Sequence, residues 1–351
     1  MQARNVTGLS TLTSISALML GVALLATPAL AEDEVAGAKG TPVTNRDAPV
    51  TLPGNIQQKP VPKIDPASLS RGLEGMDAAT AADSMATLSR SADGTESETP
   101  ASGELRDILN QEVEGSGKSQ MSTDRVVVGT DDRVQVTDIT QYPLYTVGWL
   151  IIQDQKGNYS TCTGTMIGPK SVITAAHCVY DHDNGGWAKD IIFAPAATDA
   201  QTAPVGVFEW ADANILKGFV TNYDGKNYGS AMPWDLAEIE LKEQAGDQVG
   251  WMGFRVDDAT DLKATIIGYP GDKPEGTMWK VSCDVPPDHF GEQLFWHDCD
   301  TFAGSSGSAM WDLNAKGEPS IRGINVAEDD KVNYAVRLTK AYFQFLKDNY
   351  K

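Results

Sequence analysis

The stretch Ser171-Val172-Ile173-Thr174-Ala175-Ala176-His177-Cys178 opens as a β-branched run and ends on a histidine behind two alanines. β-Branched side chains favour extended backbone. The small residues that follow let the chain pack closely at the strand end while the imidazole points into a cleft. Only four histidines exist, at 177, 182, 289 and 297, so a histidine that does chemistry has few places to be. His289 and His297 have no partner in the sequence pattern and read as structural. Asp181-His182-Asp183-Asn184-Gly185-Gly186 misses the spacing of a calcium loop and reads as a solvated turn.

On both sides of this stretch, short apolar or alternating runs recur between turn residues. Strands are predicted near 145–153, 160–167, 171–175, 191–194, 205–210, 236–241, 264–269, 277–283, 308–312, 320–326 and 332–337. Many short strands without alternating helices imply an all-β sandwich or barrel. The exception is the C-terminus, where Leu338, Tyr342, Phe345, Leu346 and Tyr350 share one helical face and Thr339 can cap the helix. No internal repeat is present.

The chain has 351 residues, with 48 acidic against 28 basic side chains and a net charge of −20. That balance repels polyphosphate, which argues against nucleic acid and anionic lipid as partners. Residues 1–31 have the form of a signal peptide. Arg4 is the basic end, Ile15 to Leu25 the apolar run and Ala29-Leu30-Ala31 the cleavage site, with the acidic Glu32-Asp33-Glu34 next. A secreted or periplasmic product with no membrane association after cleavage is expected. Residues 32–125 are rich in Pro, Gly, Ser, Thr and Ala and contain no aromatic residue, so a largely disordered stalk or pro-segment is predicted. Leu105, Ile108, Leu109 and Val113 suit one short amphipathic helix there. All eight Trp, ten Tyr and nine Phe lie beyond Val126, which places the folded domain at 126–351.

Three motifs resemble those of chymotrypsin-like serine proteases, in the order that family uses. Thr174-Ala175-Ala176-His177-Cys178 is similar to the general-base segment. Trp234-Asp235-Leu236-Ala237-Glu238-Ile239-Glu240-Leu241 is similar to the aspartate segment, with Glu238 a departure where an apolar residue is usual. Gly304-Ser305-Ser306-Gly307-Ser308 is similar to the Gly-x-Ser-Gly nucleophile turn. The resemblance implies two six-stranded antiparallel β-barrels with a C-terminal α-helix. It also implies a catalytic triad of His177, Asp235 and Ser306, and an oxyanion hole from the N–H groups of Gly304 and Ser306. Cys162 and Cys178 bracket the histidine segment, where many relatives carry a disulfide, and Cys283 and Cys299 form a second pair with the same spacing. Four cysteines allow three connectivities, and neither pair has the Cys-x-x-Cys spacing of a zinc site. No metal and no cofactor are expected.

Val128 to Asp138 resembles the mature start of bacterial glutamyl endopeptidases, which points to processing between Arg125 and Val126. Ser305 stands where trypsin-type zymogens place the aspartate that binds the freed amine. Asp300, six residues before Ser306 and followed by Thr301, occupies the position where trypsin-like enzymes bind Arg or Lys. Asn325 replaces the histidine that glutamyl endopeptidases use on the pocket-lining strand. These residues and Arg125 favour cleavage after basic residues, with cleavage after Glu or Asp as the alternative. The implied protein is a secreted, monomeric serine endopeptidase acting on protein or peptide substrates. The rival from another class is a catalytically silent, protease-like binding module.

Overall fold

Val147–Gln153, Tyr159–Met166, Ser171–Thr174, Ala237–Leu241, Phe208–Leu216 and Asp190–Pro195 pair antiparallel in that order, and the last pairs back onto the first. The ring is a closed six-stranded barrel. Val147 to Ile152 are all buried, so this strand reads as a continuous apolar run instead of an alternating one. The protein is described here by a computed structural model covering residues 33–41, 53, 56, 61–65, 69–70, 72–115, 130–257 and 260–351. The expected signal peptide and the Arg125–Val126 processing point lie outside the described residues.

A second set of six strands follows the order Trp279–Val285, Leu262–Gly268, Ala309–Leu313, Pro319–Glu328, Asn333–Arg337 and Leu294–His297, again antiparallel. Its inner face is a separate core containing Leu262, Ile266, Val281, Phe295 and Met310. The Cys283–Cys299 disulfide ties the first of these strands to the chain just beyond the last, with no strand pairing between the two among the described residues. This six-strand order agrees with the expected second barrel, and among the described residues no hydrogen-bonded seam closes it. Leu294–His297 was not among the predicted strands. Its four residues are all buried, so it lacks the polar alternation that marks a half-exposed strand. The C-terminal helix spans Lys340–Asn349. The Thr339 hydroxyl accepts from the Tyr342 N–H at 3.3 Å, and Tyr342, Phe345 and Leu346 are buried.

Residues 72–115 differ from the largely disordered segment predicted. They form a helix (Ala78–Ser84), a hairpin (Thr87–Ser91 with Glu96–Thr99) and the expected amphipathic helix, at Gly103–Gly115. The reason lies in the partner strand. Phe208–Leu216 pairs with Asp190–Pro195 only at Phe208 and Glu209, and its ladder with Ala237–Leu241 shifts register between Trp210 and Asp212. A bulge bends a strand away from its neighbour. Beyond it Asp212 to Leu216 take Thr87–Ser91 as their partner. The few apolar residues of the segment, including Leu73, Met85, Leu105 and Leu109, are buried in the main core. Composition alone could not supply that surface, because the rest of the chain does.

Candidate active site

His177 lies in a one-turn helix, Ala176–Val179, directly after the Ser171–Thr174 strand. Ala175 and Ala176 are fully buried, as the close packing expected of them requires. The Cys162–Cys178 disulfide fastens this turn to the neighbouring strand. Asp235 follows the 3₁₀ turn Met232–Trp234 and is fully buried. One carboxylate oxygen accepts the His177 backbone N–H at 2.8 Å, and the other lies 2.7 Å from His177 Nδ1. A carboxylate only accepts, so Nδ1 carries the proton and Nε2 keeps its lone pair. The Tyr228 hydroxyl also donates to Asp235 Oδ2 and lies 3.2 Å from His177 Nδ1. Sequence reading missed Tyr228, since a tyrosine seven residues before an aspartate carries no recognisable pattern.

Ser306 sits between Gly304 and Gly307, whose φ angles are 95° and 82°. Side chains rarely adopt these left-handed conformations, which is why the turn needs glycine on both flanks. The Ser306 carbonyl accepts the Thr163 N–H at 2.8 Å and lies 3.8 Å from Cys178 Sγ, beside His177. The Gly304 carbonyl accepts from the Thr163 hydroxyl at 2.9 Å. Among the described residues the N–H groups of Gly304 and Ser306 have no hydrogen-bond acceptor, so both donors are available to a developing oxyanion. Ser308 is a different kind of residue. It is fully buried, and a Cβ on Gly268 would fall 2.4 Å from its Oγ. Its hydroxyl is enclosed, without a hydrogen-bond partner among the described residues.

The predicted specificity residues separate. Asn325 is buried, its Oδ1 3.1 Å from His297 Nε2 and its amide donating to the Ser305 carbonyl at 3.2 Å. It braces the nucleophile turn from behind. Burial holds His297 neutral, with a pKa pushed down to about 4 despite the hydrogen bond it donates to Asn325 Oδ1. Asp300 is half-buried, not sealed at a pocket floor, and its Oδ2 accepts the Asp132 N–H at 2.9 Å. With Thr301, Asp298, Glu328, Asp329 and Lys331 it lines a cavity of about 310 Å³. The Asp181 carboxylate accepts the N–H groups of Asp183 and Asn184 and the Asn184 amide, which is the turn read from the sequence. Cys162–Cys178 forms the disulfide that the resemblance implied, and Cys283–Cys299 joins the second, equally spaced pair. Among the described residues no helix is long and apolar enough to cross a membrane.

The sequence pattern of the trypsin-like peptidase domain matches residues 162–318. A glutamyl endopeptidase of Bacillus licheniformis is 31% identical over 229 residues, covering 63% of this chain and 67% of that one. A protein called extracellular metalloprotease, from Bacillus subtilis, is 27% identical over 299 residues, covering 79% and 90%. A solved Glu endopeptidase structure superposes with a TM-score of 0.54 at 28% identity, covering 64% of this chain and 99% of that one. Closed barrel, disulfide-fastened histidine turn and these likenesses agree: the chain belongs to the trypsin-like peptidase family and is a serine endopeptidase with the chymotrypsin-like fold.

Proposed function

We propose that His177, Asp235 and Ser306 form the catalytic triad of this endopeptidase. The carrying observation is the 2.7 Å contact between His177 Nδ1 and Asp235, which orients the ring and leaves Nε2 as the base. Ser306 Oγ attacks the scissile carbonyl as Nε2 takes its proton, and the N–H groups of Gly304 and Ser306 receive the negative oxygen. The imidazolium then protonates the leaving amine, and water, activated by the same nitrogen, hydrolyses the acyl-enzyme. Each oxyanion donor is worth about 3 kcal/mol of transition-state stabilisation. Cys162, Cys178 and His177 lie close together, as do Cys283, Cys299 and His297, but the sulfurs of both groups are joined as disulfides and do not fit a metal-ligand role. A fluorophosphonate probe should label the wild-type protein and not Ser306→Ala; labelling of both at another residue would remove the triad.

Cleavage after Arg or Lys is favoured by the carboxylates of Asp298, Asp300, Glu328, Asp329 and Asp330 around the cavity that Thr301 also lines, where Lys63 and Lys331 bring positive charge as well. An acidic substrate side chain would meet net repulsion there. The second reading, cleavage after Glu, rests on the glutamyl endopeptidases among the relatives. Paired peptides ending in Arg and in Glu discriminate the two. Asp300→Asn should lower turnover of the Arg peptide selectively, and unchanged selectivity with faster Glu cleavage would favour the second reading.

We further propose export through residues 1–31, action as a monomer, and a pro-segment at 32–125 that covers the cleft. In support, Lys63 forms a parallel bridge with Glu328. The Ile64 N–H donates to the Glu328 carbonyl at 3.1 Å, and the Glu328 N–H donates to the Pro62 carbonyl at 3.2 Å. Val61, Pro62 and Lys63 also line a cavity of about 480 Å³ together with His177 and Tyr228. A peptide substrate must displace this strand. N-terminal sequencing of protein recovered from the medium should read Val126, and an intact residue 32 on fully active enzyme would overturn the pro-segment.

A further inference from the structure

Asp235 is fully buried, and a buried carboxylate is costly unless donors surround it. His177 supplies two donors, its backbone N–H to Oδ1 at 2.8 Å and its ring Nδ1–H to Oδ2 at 2.7 Å. The third is the Tyr228 hydroxyl, which donates to the same Oδ2 that holds the imidazole. Tyr228 is placed for this with little freedom. It opens a 3₁₀ turn, Tyr228–Ser230, capped by the Asn227 side chain, which accepts the Gly229 N–H at 3.0 Å. Its ring stands edge-on to the His177 ring, centroids 6.0 Å apart at 89°, and at 73° to Phe219, centroids 6.2 Å apart. Burial first, and then the Asp235 charge, raise its phenol pKa well above the ordinary value, so the hydroxyl stays protonated and remains a donor.

We propose that Tyr228 is a positioning residue for the catalytic pair, its hydroxyl sharing Asp235 Oδ2 with the imidazole and so fixing both the plane of the carboxylate and the share of its charge that His177 receives. This rests on the triad reading above. Without the hydroxyl the carboxylate is freer to rotate, which lowers the population of correctly aligned imidazole. It also turns more of its charge on the ring, which favours the imidazolium. The other titratable groups facing the cleft are Tyr180, Asp181, His182 and Asp183 after the histidine turn, Tyr223 and Lys226 before Tyr228, and Lys63 of the pro-segment. None of them donates to Asp235 among the described residues. They are unchanged in the variant below, so their contribution to the pH profile cancels in the comparison.

The test is Tyr228→Phe in the processed enzyme, which keeps the ring and removes one oxygen, measured per active site by burst titration beside wild type and Ser306→Ala. The expected result is kcat lower by about tenfold with KM within about twofold, the loss appropriate to a hydrogen bond on a charged group. The acid limb of kcat/KM should move up by about half a pH unit. A purely structural role would lower the titratable fraction or the melting temperature while leaving turnover per site and the pH profile in place, and that result overturns the proposal. Wild-type turnover by Tyr228→Phe with Ser306→Ala inactive removes Tyr228 alone. Activity retained by Ser306→Ala removes the triad reading and this inference with it.

Discussion

Gly307 and Thr174 are in such close contact that a Cβ on Gly307 would fall 2.1 Å from the Thr174 hydroxyl and 2.4 Å from the Thr163 carbonyl. The nucleophile turn of the second sheet is thus seated directly on the strand of the first barrel that leads to His177. The glycine has two reasons to be there, its left-handed φ of 82° and the absence of room. Gly307→Ala must either strain the turn or lift it from Thr174, and lifting it displaces Ser306 with the turn. We expect unfolding free energy to fall by about 2–5 kcal/mol. The residual folded enzyme should lose at least about a hundredfold in kcat, because misplacing reacting groups by an ångström costs that much. Denaturant melts and single-turnover kinetics measure the two effects separately.

Asp235→Asn tests the tautomer directly. An amide at this position can present its NH₂ to Nδ1, which drives the ring proton to Nε2 and removes the base. The same change in the chymotrypsin template costs about four orders of magnitude in kcat, and a similar loss is expected here. The backbone N–H of His177 still has an amide oxygen to donate to, but the Tyr228 hydroxyl loses its acceptor, so the melting temperature should fall by the loss of one hydrogen bond. A variant with more than about a tenth of wild-type kcat would show that the contact does not set the tautomer.

The three motifs were visible because each is a local string of distinctive residue types, and the contact of His177 with Asp235 joins two of them. His177 needs small neighbours, and Ser306 needs glycines that accept positive φ. The strands around them were legible for a similar reason, since each is a short apolar run ended by turn residues. Tyr228 was hidden because its role arises only when a 3₁₀ turn swings its hydroxyl towards Asp235. The hairpin Thr87–Ser91 with Glu96–Thr99 was hidden because it has no apolar pattern of its own. Its stability comes from a strand edge that a bulge more than a hundred residues later sets free. Asp300 shows the converse, a position read from the motif whose surroundings, half-buried and bonded to the Asp132 N–H, no motif could convey.

Glu238, the departure from the usual aspartate segment, carries a pH dependence of stability. It is fully buried in the first barrel, where its carboxyl accepts the Asn214 amide at 2.9 Å. Burial pushes its pKa from 4.5 up to about 8. The native state therefore holds a proton that the unfolded chain releases, and stability falls as pH rises from about 4.5 to about 8, by roughly 1.4 kcal/mol per unit. His297 has the opposite slope, since its folded pKa of about 4 lies below 6.5 and stability is lost as pH falls through that interval. Between about 4.5 and 6.5 the two slopes oppose each other. Glu238→Gln keeps the acceptor for Asn214 and removes the titration. The variant should be more stable than wild type above about pH 8, and below about 6.5 it should show the acid-side decline of His297 that Glu238 masks. Parallel melting curves for the two proteins across pH would rule this out.

The segment 61–65, proposed above to cover the cleft, supplies the last expectation. Ile64 is buried, and its N–H donates to the Glu328 carbonyl, so Ile64→Pro removes a hydrogen bond and some apolar contact while leaving the active-site residues untouched. One backbone hydrogen bond is worth about 1 kcal/mol net, which corresponds to about fivefold more of the uncovered state at equilibrium. The comparison belongs in a chain held uncleaved by Arg125→Gln, where the strand is still present. A fluorophosphonate probe should label Ser306 in the Ile64→Pro chain about five times faster than in its parent, with the difference vanishing once both are processed. Equal labelling rates in the uncleaved chains would mean that the strand passes over the cleft without limiting access to it, and that any latency of the precursor has its origin in the nucleophile turn instead.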